Sequence, residues 1–278
     1  MRDDFAVFIL SHGRAESQTT LKQLEIGNYS GKWYIIVDDL DDQKDQYIEK
    51  YGDHVIVFDK REQAKVTDTM SSKEELRSVV YARNKAYDIA EELGLKYFAQ
   101  LDDDLNRLMY RFVEDGKLKS SQIRSMDMIF EAMIDFLEVS GAYSVGMCSA
   151  NGLIGGAKNE KFQKRVLIEL YQCFICKTNR RIKFVGILNE DDNACNLMSK
   201  VGKMTYAISD IMMTAPLRST NSGGLNELYI DNDAYIRAFH SIIPTPAGLK
   251  IKAKGQNVTL VRSAKNLFPK IISESWKK

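Results

Sequence analysis

Three carboxylates stand side by side at Asp102, Asp103 and Asp104, directly after the apolar stretch KYFAQL. Adjacent anions repel one another, and loss of water worsens the repulsion, so such a cluster inside a site calls for a cation. Hard divalent ions such as Mg²⁺ or Mn²⁺ accept carboxylate oxygens and keep positions free for phosphate. A charge run can equally be a solvated turn. Position favours the site, because two other apolar stretches also end in polar residues: FAVFIL runs into Ser11, His12, Gly13 and Arg14, and WYIIV into Asp38 and Asp39. In parallel α/β sheets ligands collect beyond the carboxyl ends of the strands, so these groups should converge on one edge as a metal–diphosphate site. Ser11, Arg14 and Asp103 are expected at that site, with the Arg14 fork pairing diphosphate. Asp38, or Asp39 beside it, could accept hydrogen bonds from uracil or ribose, although a strand-end turn would look the same. Arg83 could support Asp102 or the nucleotide, or lie on the surface of an amphipathic helix.

The elements that must position these residues alternate along the first half. DFAVFILSH, KWYIIVDD, HVIVFDK and KYFAQLDDD read as strands. Between them, AESQTTLKQLEIG, DQYIEKYG and EELRSVVYARNKAYDIAEELGL read as helices, the first stopped by Gly27 and the last by Gly94. Strand, helix and strand in alternation predict a parallel sheet covered on both faces. In the second half SMDMIFEAMIDFLEVSG and EDDNACNLMSKVG read as helices, and AYSVGMCSA and VLIELYQCFICKT as strands. Without repeats or a low-complexity linker, one domain over residues 1–278 is expected: a nucleotide-sugar half over 1–105, an acceptor half over 106–244 and a basic segment over 245–278.

In order along the chain, FILSHGR, IIVDD, ARN (Ala82, Arg83, Asn84), LDDD and NEDDNACNLMSKVG resemble a glycosyltransferase of the A-type (GT-A) fold. The resemblance implies an α/β, Rossmann-like nucleotide-sugar-binding fold with a mainly parallel central sheet and an irregular C-terminal region. It implies that Asp102 and Asp104, as an Asp-x-Asp motif, bind Mn²⁺ or Mg²⁺ and the diphosphate of a nucleotide sugar, with uridine the commonest expectation. It also makes Asp191 the base of an inverting transfer, with Glu190 as neighbour; Gly202 follows Asp191 at the family's spacing of eleven residues. His240 could supply a third metal ligand. SHGRAESQTTLKQLE together with YARNKAYDIAEELGLKYFAQLDDDL is similar to the TET-associated glycosyltransferases of phages. That narrower likeness implies hydroxymethylated pyrimidines of DNA as acceptor, in the cytoplasm of a host cell. A protein, glycan or lipid-linked acceptor, a nucleotidyltransferase and an inactive DNA-binding module of the same fold are the alternatives.

Composition narrows the field. Of 278 residues 44% are hydrophobic, enough for a sizeable core, and 39 basic residues balance 38 acidic ones, so no global field marks a nucleic-acid or membrane binder. The apolar run Phe5 to Leu10 is too short for a signal peptide or membrane span, which predicts a cytoplasmic protein with no membrane partner; no obligate protein partner is evident. Four cysteines and three histidines offer no paired zinc half-sites, so Cys148, Cys173, Cys176 and Cys195 are expected as buried thiols, the CFIC pair pointing to opposite faces of a strand. Local charge matters at the end of the chain. From residue 245, Lys250, Lys252, Lys254, Arg262, Lys265, Lys270, Lys277 and Lys278 outnumber the single acid Glu274 by seven. That excess suits a phosphate-tracking surface, or an edge hairpin guarded by lysines. STNSGGLNELY, residues 219–229, has the Gly and Ser content of a loop that could close over donor sugar.

Overall fold

The computed structural model of the chain describes residues 1–71, 74–150, 155–163, 165–167, 169–216, 228, 234–254 and 257–263. The first half is built as its apolar pattern predicts: β1 (Phe5–Leu10), α1 (Thr19–Ile26), β2 (Lys32–Asp38), α2 (Lys44–Tyr51), β3 (Val55–Phe58), α3 (Lys60–Val66), α4 (Val80–Glu92) and β4 (Tyr97–Asp102). β5 (Arg107–Glu114) and β6 (Lys117–Gln122) follow, then α5 (Met126–Ser140), β7 (Ser144–Ser149), α6 (Glu160–Gln163), β8 (Val166–Leu167), β9 (Cys173–Lys177) and α7 (Glu190–Lys200). β10 (Thr205–Thr214), α8 (Ala234–Ile242), β11 (Leu249–Lys254) and β12 (Asn257–Arg262) follow, and short 3-10 turns lie at Gly52–His54 and Gly156–Lys158.

The main sheet runs β3-β2-β1-β4-β9-β7-β10-β5-β6, with β8 paired to β10. β3, β2, β1 and β4 are parallel, as the crossover helices require. β9 then enters antiparallel to β4, β7 antiparallel to β9, and β5 and β6 antiparallel in turn, so the sheet is mixed where a mainly parallel one was expected. The cause is partly local. Asp115 and Gly116, both at positive φ, form a two-residue turn that folds β5 straight back as β6.

Alternation along β1 divides the core. Phe5, Val7 and Ile9 join α1 and α5 on one face of the sheet, and Ala6, Phe8 and Leu10 join α4 on the other. All six are at most 3% exposed, and burying each large apolar side chain is worth ~1.5–3 kcal/mol. The cysteines follow the same rule: Cys173 faces the α5 side, Cys176 the α4 side, and all four are buried and outside any disulfide. Burial pushes the Cys176 thiol up to about 11.

Three boundaries differ from the pattern. VLIELYQCFICKT divides into β8 and β9, with Gln172 at φ 56° just before β9. α4 begins at Val80, after Ser78, whose hydroxyl accepts the Val80 N–H at 3.3 Å and donates to the Ile187 carbonyl at 3.0 Å. Gly27 ends α1 without a left-handed backbone; its role is close approach, because a Cβ there would sit 3.1 Å from that of Met126, whose N–H donates to the Gly27 carbonyl at 2.8 Å.

Candidate active site

The β1–β4 register pairs Leu10 with Asp102, which brings Ser11–Arg14 and Asp102–Asp104 to one sheet edge. There the three carboxylates divide. Asp103 turns inward, 4% exposed, with Ser11 donating to one oxygen at 2.5 Å and Arg14 to the other at 2.5 Å. Ser11, Arg14 and Asp103, expected at the metal–diphosphate site, thus satisfy one another and clamp the strand ends together. Burial, aided by Asp104 and Asp102 and opposed by Arg14 and Ser11, pushes the Asp103 carboxyl up to about 7. Asp102 and Asp104 stay partly open, with side chains 24% and 22% exposed. The turn is fastened from α1: Thr20 donates its hydroxyl to the Asp102 carbonyl at 2.5 Å and its N–H to the Asp103 carbonyl at 3.1 Å. The pair Thr19–Thr20 was a signal for this contact that apolar periodicity does not register.

At the end of β2 the neighbouring aspartates also separate. Asp39 accepts the Lys60 N–H at 2.8 Å and serves the start of α3. Asp38 is the residue of the pair that meets His12, at 2.8 Å from its Nδ1, and the buried Lys60 ammonium at 2.9 Å, both on one oxygen. Its other oxygen is buried and has no hydrogen-bond partner. Asp41 accepts the Gly13 N–H at 2.8 Å, and buried Tyr47 accepts that of Arg14 at 2.8 Å while its hydroxyl lies 2.7 Å from the Ser11 hydroxyl. His12, Lys60, Asp41 and Tyr47 were not singled out by residue type, since their partners are 20 or more positions away.

The His12–Asp38 contact has a pH consequence. The hydrogen bond to Asp38 raises the His12 pKa despite burial and nearby Lys60. A histidine with a raised folded pKa stabilises the fold fully below its unfolded value of about 6.5, and that contribution is lost as pH rises through the folded value. Asp38→Asn should therefore return the His12 titration, followed by NMR of the ring protons, to about 6.5 or below. An unmoved titration in that variant would detach His12 from Asp38.

The second acidic set opens α7 on the far side of Arg83. Arg83 is 1% exposed and spans two carboxylates, donating from Nη2 to Asp102 at 2.7 Å and from Nε to Glu190 at 3.0 Å. Beside it, Asn84 donates to the Phe184 carbonyl at 2.9 Å and accepts the Phe184 N–H at 3.0 Å, so the ARN stretch fastens the segment leading into α7. Asn193 tightens the same segment through the Val185 and Leu188 carbonyls, and Gly186 at φ 87° leaves it room: a Cβ there would lie 2.8 Å from Asn193 Nδ2.

Asp191 is half-buried at the first turn of α7 and accepts the Asp192 N–H at 2.7 Å. Burial first, then Glu190 and Asp192, hold its carboxyl well above the usual carboxylate range, against the opposing charge of Arg83. Once ionised, a carboxylate whose pKa is raised binds a proton more strongly.

A hard divalent ion fits Asp102 and Asp104 in part. They offer partly exposed carboxylate oxygens of the right chemistry, and such ions complete their shells with water and phosphate. Among the described residues no three His, Cys, Asp or Glu side chains form a metal cage, so His240 does not join Asp102 and Asp104 in one. His240 sits on α8, which is tied to α7 by Asn189 donating to the Arg237 carbonyl at 2.8 Å, and its buried Nδ1 has no hydrogen-bond partner.

The C-terminal lysines are only partly described. Lys250 and Lys252 are exposed on β11, whereas Arg262 is turned inward and does not contribute to a surface. The side chain of Lys254, and Lys265, Lys270, Lys277 and Lys278, lie outside the described residues. So does the STNSGGLNELY stretch, apart from Leu228, which is buried with Ile187 and Leu188. Among the described residues no helix is long and apolar enough to cross a membrane.

A search of the curated proteins found no match. A family model does match, over residues 5–224, which begins with the first residue of β1 and ends after β10. It takes in both acidic sets and the arginine joining them, though not His240 or Arg262. With the greater part of its length inside that match, the chain belongs to the TET-Associated Glycosyltransferase family.

Proposed function

We propose that this glycosyltransferase moves a sugar from a nucleotide-sugar donor, UDP-linked, to the hydroxymethyl group of modified pyrimidines in DNA, with Mn²⁺ or Mg²⁺ at Asp102 and Asp104. The observation that carries the reading is Arg83, which joins the strand-end carboxylates to the acids of α7 through one buried guanidinium. Sugar transfer needs both groups at once. The bond from the anomeric carbon to the diphosphate breaks, its electron pair leaving with the phosphate oxygen, while the acceptor oxygen bonds to that carbon and gives up its proton. Asp191 takes the proton. The raised proton affinity of its carboxyl suits that role, and Arg83 holds Glu190 beside it. Asp38 offers its unpartnered oxygen to a donor group of the base or ribose. A bound divalent ion would offset the charge growing on the departing diphosphate. Support for DNA as acceptor comes from the family and from the exposed Lys250 and Lys252.

The donor side is tested by titration calorimetry with UDP and Mn²⁺. Asp102→Asn and Asp104→Asn should each lose metal-dependent UDP binding while their unfolding transitions remain cooperative. Parental affinity in both variants would remove the metal from the reading.

A further inference from the structure

The β11–β12 ribbon has two unlike faces. Cross-strand partners in an antiparallel pair share a face. The register Leu249↔Arg262 and Ile251↔Leu260 puts Arg262 beside buried Leu249, while Lys250, opposite Val261, and Lys252, opposite Thr259, take the exposed face. On the inner side the Arg262 guanidinium pairs with Asp192, with Glu169 at 3.2 Å, with the Tyr171 hydroxyl at 3.3 Å and with Asn196 Oδ1 at 3.4 Å. Four partners from α7 and from the segment before β9 therefore converge on one side chain that lies beyond the family match. An arginine so engaged is not there to track phosphate.

Its place relative to Asp191 gives it a use. Asp191 has an acid on each side, and both neighbours push its proton affinity up. Arg83 binds the one, Glu190, and Arg262 binds the other, Asp192. We infer that Arg262 is a positioning residue for the base: by holding Asp192 and Glu169 it fixes the first turn of α7 and offsets the anion next to Asp191, so that the C-terminal ribbon completes the catalytic machinery. The inference rests on Asp191 being the base. The other ionisable groups around Asp191 are Cys195 on α7, Arg83 on α4 with Asp102 behind it, Tyr171 and Glu169 before β9, and, on α8 packed against α7, Arg237 and His240. Arg262 is paired directly with Asp192.

The test compares transfer rates across pH for Arg262→Met, Arg262→Lys, Asp192→Asn and the Arg262→Met/Asp192→Asn double variant, with Asp191→Asn alongside. Arg262→Met should lower kcat about tenfold, the effect of about one pKa unit on the base, and move the acidic limb of the profile to higher pH, with donor KM little changed. Arg262→Lys, which keeps the charge and loses the fork, should retain part of the rate; should Arg262→Met fail to fold, the same split between kcat and KM is read in this variant. The double variant should recover toward the Asp192→Asn rate, because the anion needing an offset is gone; the shifted acidic limb at unchanged donor KM is the readout that a merely structural role would not give. A parental rate and limb in Arg262→Met, or a double variant no better than Arg262→Met alone, would overturn the inference. Asp191→Asn at the parental rate would overturn the base assignment and this inference with it. A crippled Asp191→Asn beside an unaffected Arg262→Met overturns this inference alone.

Discussion

Asp191→Asn should transfer sugar about two to four decades more slowly than the parent, the usual contribution of a general base. Asparagine keeps the shape of the side chain and loses only the ability to take a proton. Donor and metal affinity should stay near parental, because Asp191 sits on α7 and has no contact with Asp102 or Asp104 among the described hydrogen bonds. Glu190→Gln and Asp192→Asn should be milder. Each neighbour is held by an arginine, Glu190 by Arg83 and Asp192 by Arg262, so each acts on the acceptor through Asp191. Rates and donor affinities of the three variants, measured side by side, separate the roles. A parental rate in Asp191→Asn would place the base elsewhere, or indicate transfer with retention.

Arg83→Met should cost about 3–5 kcal/mol of stability, the penalty for removing one member of a buried ionic group and leaving the others uncompensated. Arg83 is almost wholly buried, bonds two carboxylates, and lies over the rings of Phe174 at 5.2 Å and Phe184 at 5.8 Å. Methionine fills much of the volume but leaves Asp102 and Glu190 facing each other without a cation. Lysine repairs this only in part, because its single nitrogen keeps the charge but lacks the planar fork by which Nε and Nη2 reach the two carboxylates separately. Neutralising the partners should go further: Arg83→Met with Asp102→Asn and Glu190→Gln is expected to regain most of the lost stability and none of the activity. Urea unfolding of the single and triple variants is the measurement. A single variant as stable as the parent would mean that the two acidic sets stand without the bridge.

Local pattern carried the parallel half of the sheet. Short, β-branched and aromatic apolar runs such as Phe5–Leu10 suit strands buried on both faces, and their ends mark where ligands collect, which puts Ser11, Asp38 and Asp102 on one edge. The antiparallel half was less legible. Asp115–Gly116 is a strong hairpin signal and β10 alternates buried and half-buried positions along its whole length, but the stronger helical periods nearby mask both. Within the site, residue type separated acids from apolar residues but could not rank neighbours. Which of Asp38 and Asp39 meets His12, and which of three adjacent aspartates turns inward, depends on partners far away in the chain: Ser11 lies 92 positions from Asp103, Glu190 lies 107 from Arg83, and Asp192 lies 70 from Arg262. Such contacts leave no periodicity to read. The basic tail shows the opposite risk, since counting charges assigned Arg262 to a surface that its burial against Asp192 removes it from.

The central claim is sugar transfer to hydroxymethyl groups in DNA, and mass spectrometry of the acceptor tests it most directly. The protein is incubated with Mn²⁺, a panel of nucleotide sugars and DNA containing hydroxymethylcytosine, and the DNA is then digested to nucleosides and weighed. The expected result is a hydroxymethyl nucleoside heavier by one sugar residue with at least one donor, lost on chelation of the metal and nearly absent with Asp191→Asn. Unmodified hydroxymethyl nucleosides with every donor, while the same protein glycosylates a protein or glycan acceptor, would contradict it.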